Sequence, residues 1–218
     1  MQRLTPPSPE HLFGADSMGR DVYSRVLYGL RNTLGVSFLA VLISLVIGGI
    51  VGGAGALLED GAGVFGKIAN KVAICIGRFL GAGPGFLLAI VLANSRGRET
   101  FDLAIAVAFV LIPGFIRVFG GVVLCIKSGD AVRAFHMVIA QMSLSMALGI
   151  MFYSALGFLG LGAFIPIPEL GSMIAMGSDF LRFGIYLVSF PGLALVISML
   201  SFNILGESMN KMVLARSE

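Results

Sequence analysis

Five stretches of this chain stay apolar for as long as a membrane span requires: roughly Thr33–Leu58, Val72–Asn94, Asp102–Ile126, Met137–Phe164 and Gly184–Gly206. A helix needs about 20 apolar residues to cross the hydrocarbon of a bilayer. Three of the five stretches hold no charged side chain. A backbone in hydrocarbon must satisfy its own N–H and C=O groups, which leaves helices or a closed barrel. The two-residue alternation of a barrel strand is absent, so the chain reads as all-α, a polytopic transmembrane helical bundle of about five spans.

Only 12% of the residues are charged and 57% are hydrophobic, whereas a soluble domain carries about 25% charged residues. Such a chain cannot cover its own surface with polar groups and needs a lipid bilayer around it. The net charge of +3 comes from scattered Arg and Lys, so the clustered basic footprint of a nucleic-acid binder is missing and no nucleic acid is expected as a partner. Cys75 and Cys125 lie inside apolar runs with no CxxC or Cys/His spacing, which favours buried thiols over a disulfide. His136 has no second His, Cys or carboxylate at ligand spacing, so neither a metal nor a cofactor is expected. Nothing resembles a nucleophile with its base, a phosphate-binding loop or paired carboxylates, so the chain is not read as an enzyme.

Within the runs, Gly48, Gly49, Gly52 and Gly53 recur at four-residue spacing, which lets membrane helices approach closely. Pro84-Gly85, Pro113-Gly114 and Pro191-Gly192 each fall inside a run. Proline removes a backbone bond, so these are kink positions that either shape a cavity or bend helices round one another. Arg78 and Arg117 stand within or near the ends of apolar runs, where snorkelling to the interface competes with a functional role.

Residues 1–31 are polar and lack the basic-then-apolar order of a signal peptide. Val22, Val26, Leu27 and Leu30 sit at helical spacing among Arg20, Asp21, Arg25 and Tyr28, a pattern that suits a short interfacial helix. The chain thus divides into an N-terminal segment, 1–31, and a transmembrane domain, 32–218. Lys and Arg in short loops favour the cytoplasm, but here they are balanced between the two sides and leave the orientation open.

Four local patterns resemble the permeases that serve peptide and nickel ABC importers. Gly14-Ala15-Asp16-Ser17-Met18-Gly19-Arg20-Asp21-Val22-Tyr23-Ser24-Arg25, followed by Tyr28-Gly29-Leu30-Arg31-Asn32-Thr33-Leu34, is similar to the family's LGTDxxGRDVxSRxxYGxRxSL. Ala155-Leu156-Gly157-Phe158-Leu159-Gly160-Leu161-Gly162 resembles SLSFLGLG, with Gly157 replacing serine. Pro166-Ile167-Pro168-Glu169-Leu170-Gly171-Ser172-Met173 looks like PPxPSWGxM, with Leu170 where tryptophan is usual. Phe202-Asn203-Ile204-Leu205-Gly206-Glu207-Ser208-Met209-Asn210 is similar to the closing FNLLGDxLRD. The four span nearly the whole chain, in the family's order.

The resemblance implies a type I importer permease in the bacterial inner membrane, multi-pass, with residues 1–31 extracytoplasmic and a cytoplasmic C-terminus after Gly206. It implies a second homologous permease, two ATP-binding subunits that hydrolyse the ATP, and an extracytoplasmic solute-binding protein that selects a peptide, nickel or a related small solute. In the family a cytoplasmic loop, roughly YVxAAxxxGxSxxxIxxxHxLPN, docks a short helix on the ATPase. Gly129-Asp130-Ala131-Val132-Arg133-Ala134 resembles its beginning and is the expected ATPase-coupling segment. After Phe135-His136-Met137-Val138 the chain passes straight into Ile139-Ala140-Gln141-Met142. Roughly fifteen residues of the pattern have no counterpart, and at about 1.5 Å of helix rise per residue the lever is short. Two readings stay open: a working subunit with a reduced coupling loop, or a degenerate permease-like protein with a structural or regulatory role. The family also places a span ahead of the GTDxxGRD pattern, so either the start lies upstream of Met1 or insertion is unusual.

Overall fold

The structure, a computed structural model, describes residues 4–61, 84–95, 99–163, 166–182 and 184–215. These residues form six helices: α1 Val22–Gly61, α2 Pro84–Ser95, α3 Thr100–Lys127, α4 Ala131–Phe158, α5 Leu170–Ser178 and α6 Tyr186–Ala215. Four are long and apolar enough to cross a membrane, over Val22–Leu58, Thr100–Lys127, Ala131–Phe158 and Tyr186–Val213. The expected span Val72–Asn94 is represented by the shorter apolar helix Gly85–Ser95. The rest of that run, with Cys75 and Arg78, lies outside the described residues.

Residues 22–30 do not form a separate interfacial helix. The helix that starts at Val22 continues unbroken past Arg31 to Gly61. Its early apolar positions are covered by protein: Val22 and Val26 are 1% and 4% exposed and pack with Leu170, Met173 and Leu187. Asp21 starts the helix, its Oδ2 accepting the Ser24 backbone N–H at 2.8 Å and the Ser24 hydroxyl at 2.7 Å, which satisfies one of the free N–H groups of the first turn. Asp16 Oδ1 takes the N–H groups of Met18 and Arg20, and its Oδ2 pairs with Arg20 Nε at 2.8 Å. The GADSMGRD motif is therefore a self-closed polar turn at the head of α1.

α1 and α3 run side by side in the same direction. Gly48 lies under Phe115, where a Cβ would come within 2.5 Å of the Phe115 Cβ, and a Cβ on Gly52 would run into the Ile116 carbonyl. The small-residue stripe is thus a close backbone crossing, as membrane helices use when lipid leaves no hydrophobic gain on association. Ser44 is buried in the same seam, its hydroxyl donating to Ala40 O at 2.7 Å and across to Ala108 O at 3.0 Å, a little over one turn before Pro113. α4 returns antiparallel, bringing Gly149 against Ser37 and Gln141 against Gly114. α6 packs on α4 through Gly206 and Leu144, and exposes Leu193, Ile197, Leu200 and Ile204 on its other side.

Candidate functional site

Chemistry gathers at the two ends of α4. At one end, α3 turns into α4 over Ser128–Asp130. Gly129 adopts φ +83°; its N–H bonds to Ile126 O and that of Asp130 to Cys125 O, at 3.1 and 2.9 Å. This is the paired closure of a Schellman motif, which a left-handed glycine makes cheap. Asp130 then caps α4, its Oδ1 accepting the Arg133 N–H at 3.0 Å. Of the expected coupling residues, Gly129 and Asp130 thus make the turn itself, while Ala131, Val132, Arg133 and Ala134 are the first turn of a 28-residue helix. No separate docking helix stands between α3 and α4. The tip still presents an apolar surface, with Leu124, Ile126, Val132 and Phe135 between 48% and 64% exposed. Arg133 Nε and His136 Nδ1 are buried there without hydrogen-bond partners. Arg117 lies on an exposed face of α3.

At the other end of α4, the chain leaves the bundle at Phe158, turns on Gly160 with φ +77° and re-enters through Pro168 and Glu169 into α5. Glu169 is fully buried. Its carboxyl lies against Gly157 and Gly162, each of which leaves room that a Cβ would fill. Oε2 accepts the Ala163 N–H at 3.2 Å, and Oε1 has no partner. Its backbone carbonyl takes the Met173 N–H and the Ser172 hydroxyl, both at 3.0 Å, at the start of α5. The equally buried Tyr153 stands close enough for electrostatic interaction. Asn32 of α1 donates to the Tyr153 hydroxyl at 3.1 Å and to Pro168 O at 3.5 Å, tying three elements together.

Among the described residues no cation pairs with this carboxyl. Burial pushes it up to about 8, the Ala163 N–H offsetting only part of that effect. Glu169 is therefore mostly protonated at neutral pH, because an unpaired buried charge costs more than neutralising the group. Sequence reasoning passed over it, although one signal was present: Glu169 is the only acidic residue between Asp130 and Asp179.

Beside this cluster a cleft of about 310 Å³ opens among the outer turns of α1, the start of α3 and the Ile167–Pro168 loop. Tyr28, Arg31, Asn32 and Thr100 provide its polar groups, and among the described residues no acidic one lines it.

No protein-family model matches the chain. It is 33% identical to the dipeptide transport system permease protein DppC of Alkalihalophilus pseudofirmus over 227 residues, covering 95% of this chain and 72% of that one. Against the probable D,D-dipeptide transport system permease protein DdpC of Escherichia coli the identity is 32%, covering 97% and 75%. Against the glutathione transport system permease protein GsiD of Pectobacterium atrosepticum it is 30%, covering 93% and 72%. The first alignment is longer than the 218 residues of this chain, so that relative carries residues with no counterpart here.

Proposed function

We propose that this chain, which belongs to the permease family of dipeptide-type ABC transport systems, is a membrane subunit that forms a path for small peptides together with a second, homologous permease. Members of the family are multi-pass inner-membrane proteins and the permease components of their transporters. ATP hydrolysis would be supplied by two ATP-binding subunits, and substrate by an extracytoplasmic binding protein. The observation that carries the reading is identity of about a third to peptide permeases along 95% or more of the chain, on a helical chain with four candidate membrane spans. Dipeptides, D,D-dipeptides and glutathione, named for the relatives, all carry an amide and a free carboxylate. A peptide is therefore favoured over a nickel chelate.

One observation favours a second reading, in which the subunit assembles but does not couple. The turn Ser128–Asp130 passes directly from α3 into α4, where the resemblance implies a docking helix. Proteoliposomes holding this chain, its partner permease, the ATP-binding subunits and the binding protein separate the two readings. Peptide-dependent ATP hydrolysis that Arg133→Ala abolishes is the result for a working permease, with the α4 tip as its ATPase contact. A stable complex whose ATPase ignores peptide is the result for the uncoupled form. Arg133 is the better probe than Asp130, whose loss also removes a helix cap.

A further inference from the structure

We infer that the cleft beside Asn32 is an acceptor site for the free carboxylate of a small peptide, with Arg31 as its cationic ligand. This rests on the peptide-permease reading above and adds to it a place and a chemical contact.

An arginine pair and a single arginine stand near the head of α1, and they differ in one respect. Around Arg20 and Arg25 the chain supplies its own carboxylate: Asp16 Oδ2 lies 2.8 Å from Arg20 Nε and 3.7 Å from Arg25 Nη1. Arg31, two turns further on, makes no ion pair with any described residue and lines a cleft that no described acidic residue enters. Its planar fork of donors matches a carboxylate.

The rest of the lining suits the body of a peptide. Asn32 spends its amide N–H groups on the Tyr153 hydroxyl and Pro168 O, which leaves its carbonyl oxygen for a ligand N–H. Thr100 adds a hydroxyl, and Val36, Ile167 and Pro168 add apolar wall. A space of about 310 Å³ sits at the lower end of the range of small-ligand sites, which runs from about 300 Å³. That is room for two or three residues. Asn32 also joins the cleft to the Glu169 cluster.

The chain has four tyrosines, Tyr23, Tyr28, Tyr153 and Tyr186, and Tyr28 lies on the cleft wall. The full chain in nanodiscs, labelled with 3-fluorotyrosine, is titrated with L-alanyl-L-alanine and with its C-terminal amide while fluorine resonances are followed. Tyr28, identified by Tyr28→Phe, shifts saturably with the free dipeptide. The response is about tenfold weaker for the amide and for Arg31→Gln, as expected for loss of one charge-assisted contact, and Arg31→Lys is intermediate. Equal responses to the two peptides, or an Arg31→Gln titration like the wild type, overturns the inference. If Arg31→Gln also displaces Tyr153 and Tyr186, the variant has lost its fold, and the amide comparison on the wild-type chain decides alone. The titration needs no ATPase. Carboxylate selection with a silent ATPase would leave the cleft and sink the transport reading, and the reverse pattern would sink the cleft alone.

Discussion

Replacing Glu169 by glutamine separates two consequences of burying a carboxyl, its packing and its proton. Glutamine has nearly the same shape and keeps an oxygen for the Ala163 N–H, but it cannot ionise. In the native chain burial raises the carboxyl from 4.5 to about 8. The folded outer segment therefore holds a proton over a pH range in which the detached segment has released it. The sign follows directly: the attachment of α5 is strongest below about pH 4.5, weakens as pH rises toward 8, and is level above that. At about 1.4 kcal/mol per pH unit, the whole excursion amounts to roughly 5 kcal/mol, comparable to the stability of a small domain. Hydrogen exchange of the α5 amides in nanodiscs, corrected for the intrinsic pH dependence, measures it. The wild type should lose protection in α5 steadily from pH 5 to 8, while Glu169→Gln stays level, matches the wild type at pH 5 and exceeds it at pH 9. Parallel profiles for the two proteins would refute the assignment of a buried, neutral carboxyl.

Three further outcomes follow from particular contacts. Gly52→Ala should destabilise the bundle in detergent melts by about 1–3 kcal/mol, because its Cβ meets the Ile116 backbone; Gly53→Ala, with nothing within 4 Å, should be neutral or slightly stabilising, and equal effects would contradict the α1–α3 crossing. Gly171→Ala should cost a similar amount and raise exchange selectively in α5, since the added methyl runs into the Ser154 carbonyl of α4. Asp130→Ala should lower melting stability by about 1 kcal/mol through the lost cap, whereas Arg133→Ala should change stability less than it changes peptide-stimulated ATP hydrolysis.

Hydropathy located the hydrocarbon-crossing parts of α1, α3, α4 and α6, because nothing but lipid or protein can cover such runs. It was blind to where helices end. The run Met137–Phe164 continues past the end of α4, since Leu159 and Leu161 are apolar whether helical or not, and the stop comes from Gly160 at positive φ. α6 reaches Ala215 although its apolar run closes at Gly206, because Glu207, Asn210 and Lys211 are compatible with a helix outside hydrocarbon. The spacing of Val22, Val26 and Leu30 was legible as helical but not as protein-facing, since a stripe looks the same against lipid and against α5. The turn at Gly129-Asp130 was readable from the ordinary stop and start signals of helices. The Glu169 cluster was not, because it joins α1, α4 and the start of α5 across more than 120 positions of sequence, the Asn32–Tyr153 bond alone spanning 121.

α4 is the element that the two ends share. Its 28 residues make a rod of about 42 Å, capped by Asp130 at one end and carrying Tyr153, Ser154 and Gly157 at the other. Those three face Asn32, Gly171 and Glu169, so a tilt of the rod at its tip changes the room left for a buried carboxyl and for the backbone of α5. The turn to α3 is closed by two backbone hydrogen bonds and a cap, and contains no loop long enough to absorb motion. On the proposed reading, any force from an ATPase at this turn would act on the spans themselves, because no flexible loop lies between α3 and α4. Coupling would then depend on whether Val132, Phe135 and Arg133 seat on a partner surface, and loop length by itself would not decide the matter.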